Sequence, residues 1–287
     1  MTVQIREQAL RSGEVAAVST RVLIIGASSF IGSTLSKFSS PDLSITSLGH
    51  KDATNLPGGH YDVILNCALH PKFKSSGYEV DYDADLFAAK LAAKAGAHYV
   101  MLSTRRVYAS SPILRRIDEN ETPAPDTPYG RNKIESEKRV LDLLGDKCSI
   151  MRISNVFGYE PGRSGFFGIA VTSLRREQRV ILDVSPFVVR DFIPVEALCE
   201  VLTAVITAKP SGIFNVGSGI GVPIGKIALW LIQGYGSGEL VVTCPDERDA
   251  FIVNTDKIKR AVQSYPSIDQ LESAVIAIGR RAKCAQS

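Results

Sequence analysis

Short apolar runs alternate along this chain with segments whose apolar residues recur at helical spacing, as in a parallel sheet covered by helices on both faces. Runs at 21–25, 43–48, 63–67, 99–103, 149–153 and 212–216 predict strands, and 31–38, 83–95 and 133–144 predict helices. The expected fold class is therefore α/β, a doubly wound parallel sheet. After about Val156 the alternation loosens, and Gly and Pro gather at 160–168 and 217–225, where a smaller C-terminal lobe is expected. Residues 1–20 precede the first strand and read as an arm or added helix. Residues 21–155 then form the first domain and 156–287 mainly the second lobe, with stretches near 188–195 and 212–216 expected to return to the main sheet.

Composition narrows the partners. With 287 residues, 45% hydrophobic content and a formal net charge of +3, the chain can bury a full core, and its spread-out basic excess argues against nucleic acid. No apolar run approaches the roughly 20 residues that span a bilayer, and the first 20 residues carry Gln4, Arg6 and Glu7 where a signal peptide is apolar. A cytoplasmic location without membrane partners is the expectation. Cys67, Cys148, Cys199, Cys244 and Cys284 are scattered, without metal-ligand spacing, so neither a metal centre nor a disulfide frame is expected.

Candidate chemistry begins at the end of the first predicted strand, in Gly26-Ala27-Ser28-Ser29-Phe30-Ile31-Gly32. A strand, a tight glycine turn and a helix start let backbone N–H groups approach a dinucleotide pyrophosphate. Ser29 stands where a middle glycine is usual. After the second strand, His50 and Lys51 precede Asp52, and a basic group there suits the 2′-phosphate of NADP(H) over NAD(H); a solvated loop is the plainer reading. Farther on, Tyr129 and Lys133 stand four residues apart at the opening of a helix. An ammonium one turn from a phenol favours the phenolate and suits the Tyr to proton transfer, although the pair taken alone arises on many surface helices.

Taken together, these pieces resemble the extended short-chain dehydrogenases/reductases of the NAD-dependent epimerase/dehydratase type, which act on nucleotide sugars. The resemblance runs from Arg21 to about Ala261 through Gly26 to Gly32, Asp62-Val63-Ile64-Leu65-Asn66-Cys67-Ala68, Ser103-Thr104-Arg105-Arg106-Val107-Tyr108, Pro128-Tyr129-Gly130-Arg131-Asn132-Lys133, Arg152-Ile153-Ser154-Asn155-Val156-Phe157-Gly158, Arg190-Asp191-Phe192-Ile193 and Phe214-Asn215-Val216-Gly217-Ser218. It implies a Rossmann-like domain with a triad of Thr104, Tyr129 and Lys133. Thr104 holds the substrate oxygen, Tyr129 passes it a proton, and Lys133 holds the nicotinamide ribose. It further implies cofactor contacts from Gly26, Ser28, Ser29, Phe30, Ile31, Gly32, Asn66, Ala68, Ser103, Ser154 and Val156. Asn155, Arg190 and Arg248 are implied as ligands of a nucleotide diphosphate. His70 is a weaker candidate, since a lone loop His is more often structural.

Departures from the family pattern refine this. Family members that dehydrate sugars carry an Asp-Glu pair directly after the Thr, where this chain has Arg105 and Arg106, so 4,6-dehydration is disfavoured. The two arginines are expected either to meet a substrate phosphate or carboxylate or to form salt bridges. Arg106 also stands where fucose-forming relatives use a Cys, and Asp81 replaces a usual Asn. The chain is nearest in these respects to nucleotide-sugar 4-ketoreductases and epimerases, with reduction of a nucleotide-linked keto-deoxysugar favoured. A 4-epimerase with tightly bound NAD is the alternative, and a cofactor-binding regulatory or assembly protein is the alternative of another class. A homodimer through Ala84, Ala88, Ala89, Ala92 and Ala93 is also expected, against packing of this small-residue face on the sheet.

Overall fold

The computed structural model describes residues 19–38, 42–49, 59–163, 165–267 and 270–285. In order along the chain, the strands are β1 (Thr20–Ile25), β2 (Leu43–Leu48), β3 (Val63–Asn66), β4 (His98–Thr104), β5 (Arg116–Ile117), β6 (Cys148–Ile153) and β7 (Asn155–Phe157). There follow β8 (Arg179–Leu182), β9 (Val189–Pro194), β10 (Gly212–Val216), β11 (Gly221–Pro223), β12 (Glu239–Val242) and β13 (Ile252–Val253). Six of them form one parallel sheet in the order β2-β1-β3-β4-β6-β10. The chain starts at β1, moves outward to β2, then crosses back to β3 on the other side. The crevice between the carboxyl ends of β1 and β3 is the topological switch point, where doubly wound sheets bind ligands.

Strand periodicity places two cores on the two faces of this sheet. Leu23, Ile25, Ile64, Tyr99, Met101 and Ile150 pack with Ala88, Ala89 and Ala92 of α2 (Ala84–Ala95) and with Val140 and Leu144 of α3 (Pro128–Leu144). The alternate residues Val22, Ile24, Val63, Leu65, Val100 and Met151 face the other way, toward Leu35 of α1 (Phe30–Leu35) and Leu198, Leu202 and Val205 of α5 (Val195–Ala208). The same core continues into the lobe built from α4 (Phe166–Glu177), α6 (Ile224–Tyr235) and α8 (Leu271–Cys284). A further short helix, α7 (Asp256–Ala261), follows β13.

All six predicted strands are present to within a residue at each end. The helix expected at 31–38 closes at Leu35, where Ser33 and Thr34 turn their hydroxyls back onto the Phe30 carbonyl. Two expectations are corrected. The stretch near 188–195 does not return to the main sheet: β9 pairs with β7 and β11 in a separate three-stranded sheet, whereas 212–216 does return, as β10. The small-residue face of α2 is used within the chain, with Ala88, Ala89 and Ala92 packed against the sheet and α3, Ala84 also buried, and Ala93 alone left exposed.

A buried carboxylate ties the lobe strands together. Asp191 on β9 accepts hydrogen bonds from the Ser218 amide (2.8 Å) and hydroxyl (3.0 Å), the Gly219 amide (3.0 Å) and the Val253 amide (3.2 Å). Burial pushes its carboxyl up to about 6, and these four donors hold it from rising further. In Asp191→Asn an NH2 group must face N–H donors, so the variant is expected to lose about 1–3 kcal/mol of stability in urea titrations.

Candidate active site

Local chain chemistry builds the two walls of a cleft of about 620 Å³ at the switch point. On one wall, the chain leaves β1 at Gly26 with φ +87°, a conformation that favours glycine. A Cβ on Gly26 would come 2.5 Å from the Ala68 nitrogen, so the turn after β1 lies directly on the loop after β3. Ser29 Oγ caps the Gly32 N–H at 3.1 Å, fixing the start of α1. Ser29, Phe30 and Ile31 line the cleft beside Asn66 and Ala68. A tight turn at a helix start, with Ser29, Phe30 and Ile31 on the cleft, fits a dinucleotide pyrophosphate, and the serine in place of a middle glycine serves as the helix cap.

The opposite wall comes from α3. Thr127 Oγ1 caps the Gly130 N–H at 3.1 Å and Pro128 occupies the first turn, so the helix opens just before Tyr129. Gly130 packs against the backbone of Arg106: a Cβ there would lie 2.2 Å from the Arg106 carbonyl oxygen. This close approach brings the start of α3 against the turn after β4. Thr104, Tyr129 and Lys133 all line the cleft as a result. Thr104 Oγ1 accepts the Arg106 N–H at 3.2 Å, which leaves its own hydroxyl proton free to donate. Thr104 is thus both a strand-end cap and a cleft residue.

Lys133 is almost completely buried, and its Nζ donates to Asp85 Oδ2 at 2.6 Å and to the Leu102 carbonyl at 2.8 Å. Burial pulls its ammonium down, but the facing Asp85 carboxylate overrides this and holds it above the ordinary lysine range. Asp85 also accepts from Asn66 Nδ2 at 2.8 Å and from the Tyr99 hydroxyl at 3.0 Å. Sequence reasoning missed it. The signal was there in the helical spacing: Asp85 shares the face of Ala88, Ala89 and Ala92, a lone acid on a buried apolar stripe. Asp81, by contrast, is exposed.

Behind Thr104, Ser103 donates to Glu137, which holds Arg152 through Nη2 (2.7 Å) and Nε (3.2 Å). Arg152 Nη1 reaches the Tyr108 hydroxyl at 3.0 Å, and that hydroxyl donates to Asn215 Oδ1 at 2.9 Å. Glu137 outweighs burial and lifts the Arg152 guanidinium above its usual range. Ser103 lines the cleft with its hydroxyl turned away into this network.

With this geometry in view, the matches to known proteins acquire meaning. Residues 20–217, more than half of the chain, match the family model described as RmlD substrate binding domain. The chain belongs to that family. Its fold is shared with solved nucleotide-sugar enzymes, among them a dehydratase and an epimerase. An NAD-dependent NDP-hexosamine 5,6-dehydratase involved in tunicamycin biosynthesis is 18% identical, with TM-score 0.76 over 91% of this chain and 97% of that one. A UDP-N-acetylglucosamine 4-epimerase from Methanobrevibacter ruminantium M1, solved with UDP-N-acetylmuramic acid, is 16% identical, with TM-score 0.76 over 94% and 99%. RMD from Pseudomonas aeruginosa, complexed with NADPH, is 17% identical, with TM-score 0.74 over 93% and 100%.

The remaining residues implied by the family resemblance divide. Ser154, Asn155, Val156 and Arg190 line the cleft; Ser154 Oγ is buried without a partner among the described residues, and Asn155 Nδ2 donates to the Asp191 carbonyl at 3.2 Å. Gly26 and Gly32 shape the turn from below, Ser28 is exposed off the cleft, and His50 and Lys51 lie outside the described residues. Arg248 stands apart. Its Nη2 donates to the Asp183 carbonyl (2.6 Å) and pairs with the Asp183 carboxylate (2.9 Å) on the surface, away from the cleft. His70 stacks on Tyr82 at 4.5 Å instead of facing the cleft. Lys74, Glu160 and Arg163 are cleft residues that the sequence reading did not single out.

Arg105 and Arg106, adjacent in sequence, have opposite surroundings. Arg105 is buried, grips both oxygens of Asp249 and lies over the Phe251 ring at 4.1 Å. Arg106 is exposed into the cleft.

Proposed function

We propose that this protein is an NAD(P)-dependent oxidoreductase that reduces a keto group on a nucleotide-linked sugar. The observation that carries the reading is the convergence of Thr104, Tyr129 and Lys133 on one wall of a cleft whose other wall is the Gly26–Gly32 turn. A nicotinamide cofactor, when bound, supplies the hydride. Ser29, Phe30, Ile31, Asn66, Ala68, Ser154 and Val156 are placed to hold the dinucleotide, and Lys133, fixed by Asp85, to hold its ribose. Thr104 donates to the substrate oxygen while Tyr129 delivers the proton that the reduced oxygen requires. Arg190 and Asn155 take the diphosphate side. His50 and Lys51 support NADP(H) over NAD(H) as the cofactor. A cytoplasmic location remains part of this reading, and no helix among the described residues is long and apolar enough to cross a membrane.

The test is to incubate the protein with NADPH or NADH and a panel of nucleotide-linked keto-sugars, following loss of reduced-nicotinamide absorbance. Net oxidation of cofactor matched by reduced sugar is the expected result, with tighter binding of NADPH than NADH. Interconversion of 4-epimeric nucleotide sugars without net cofactor loss would assign the epimerase instead. Cofactor binding without turnover of any sugar would assign a regulatory protein.

A further inference from the structure

Three guanidiniums gather around one carboxylate beside the cleft. Arg105 engages both oxygens of Asp249, and Arg190 Nη2 stands 4.0 Å from one of them while donating to the backbone carbonyls of Asp249 (Nε, 3.1 Å) and Arg248 (Nη2, 3.2 Å). Burial lowers the Arg190 guanidinium; Asp249 opposes this, while Arg105 and Arg106 add to it. Arg106 feels the charge of Asp249 but forms no ion pair or side-chain hydrogen bond among the described residues. Glu160 is the acid on the cleft lining, and it is held by Arg163 at 2.9 Å. Asp126 acts on Arg105 and Asp183 on Arg190 through charge at longer range, and of the three guanidiniums Arg106 is the one with no acid at ion-pair distance among the described residues.

Backbone geometry says where an anion would meet that guanidinium. The Arg106 N–H is held by Thr104 Oγ1 at 3.2 Å, and the Arg106 carbonyl packs on Gly130, the residue after Tyr129. The Arg106 backbone thus lies against Thr104 and the start of α3, beside the residues that address the substrate oxygen, whereas Arg190 enters from β9 in the other lobe. A planar guanidinium matches a carboxylate two oxygens at a time, and a neutral hydroxyl leaves its charge unmet.

We propose that Arg106 receives a carboxylate carried by the sugar ring, so that the substrate is a nucleotide-linked sugar acid. This rests on the nucleotide-sugar reading above, and the test separates the two. Binding is measured by calorimetry for matched pairs, hexose against hexuronate, in the UDP, dTDP and GDP series, with the oxidised cofactor present. The native protein is expected to bind the hexuronate of one series about tenfold to a hundredfold more tightly than its hexose. Arg106→Gln is expected to weaken the hexuronate far more than the hexose and collapse that preference, while Arg190→Gln weakens both members by similar factors. Equal binding of the pair by the native protein overturns the proposal and leaves the nucleotide-sugar reading standing. So does an Arg106→Gln variant that weakens both members alike, because Arg106 then grips the diphosphate. Cofactor binding without binding of any pair overturns both.

Discussion

Replacing Tyr129 with Phe is expected to lower kcat for keto-sugar reduction by about a hundredfold to ten-thousandfold, the range over which a positioned proton donor contributes. The geometry makes this a clean substitution. Tyr129 lines the cleft, and its hydroxyl has no hydrogen-bond partner among the described residues, so its removal strands no buried donor or acceptor. Thermal stability should be kept, and so should the affinity for reduced cofactor, because Lys133 remains locked to Asp85 and the Leu102 carbonyl. The measurement is therefore threefold: steady-state turnover, cofactor binding by fluorescence, and a melting curve. Loss of turnover alone supports Tyr129 as the acid. Near-native turnover in Tyr129→Phe would remove it from the chemistry, and a loss of cofactor affinity of the same size as the loss of turnover would make it a binding residue.

Local pattern carried the reading wherever the signal was local. The inner strands β1, β3, β4 and β6 announce themselves as apolar runs because a strand buried on both faces has no polar side to interrupt it, whereas the edge strand β2 is interrupted by the exposed Ser44 and Ser47. Gly26 to Gly32 and the Tyr129/Lys133 pair are legible for the same reason, since their partners lie within a turn of chain. What escaped was set by contacts across long sequence separations. Lys133 meets Asp85, 48 residues away, and Arg105 meets Asp249, 144 residues away. No spacing rule relates such pairs, although an acid on the alanine face of α2 was an available hint.

Arg248 and Asp249 are parted by the backbone between them. Asp249 takes φ +61°, a left-handed turn that Asp tolerates better than most residues. Across that turn Arg248 is thrown out to Asp183, while Asp249 turns in to Arg105. The Asp249 carboxylate thus pairs with Arg105, and Arg106 has no ion pair among the described residues. Two adjacent arginines that look equivalent in sequence are separated by which of them finds an acid.

The largest stability effect is expected at Glu137. Its carboxylate and the Arg152 guanidinium are both nearly solvent-free, so Glu137→Leu leaves a buried cation without its counter-charge, a change that costs about 3–5 kcal/mol. Urea unfolding should register the loss as a lower midpoint with an unchanged slope. Pairing the change with Arg152→Met removes the stranded charge, and the double variant should recover much of the loss, since well-packed apolar replacements of buried pairs are often near neutral. Activity should not recover in parallel. Ser103 donates to Glu137 and immediately precedes Thr104, and Arg152 orients Tyr108, so both variants loosen the backbone that presents Thr104 to the cleft. A double variant that regained stability and full turnover together would confine this network to holding the fold. Stability regained with turnover still depressed would mean that the ion pair also sets the position of Thr104.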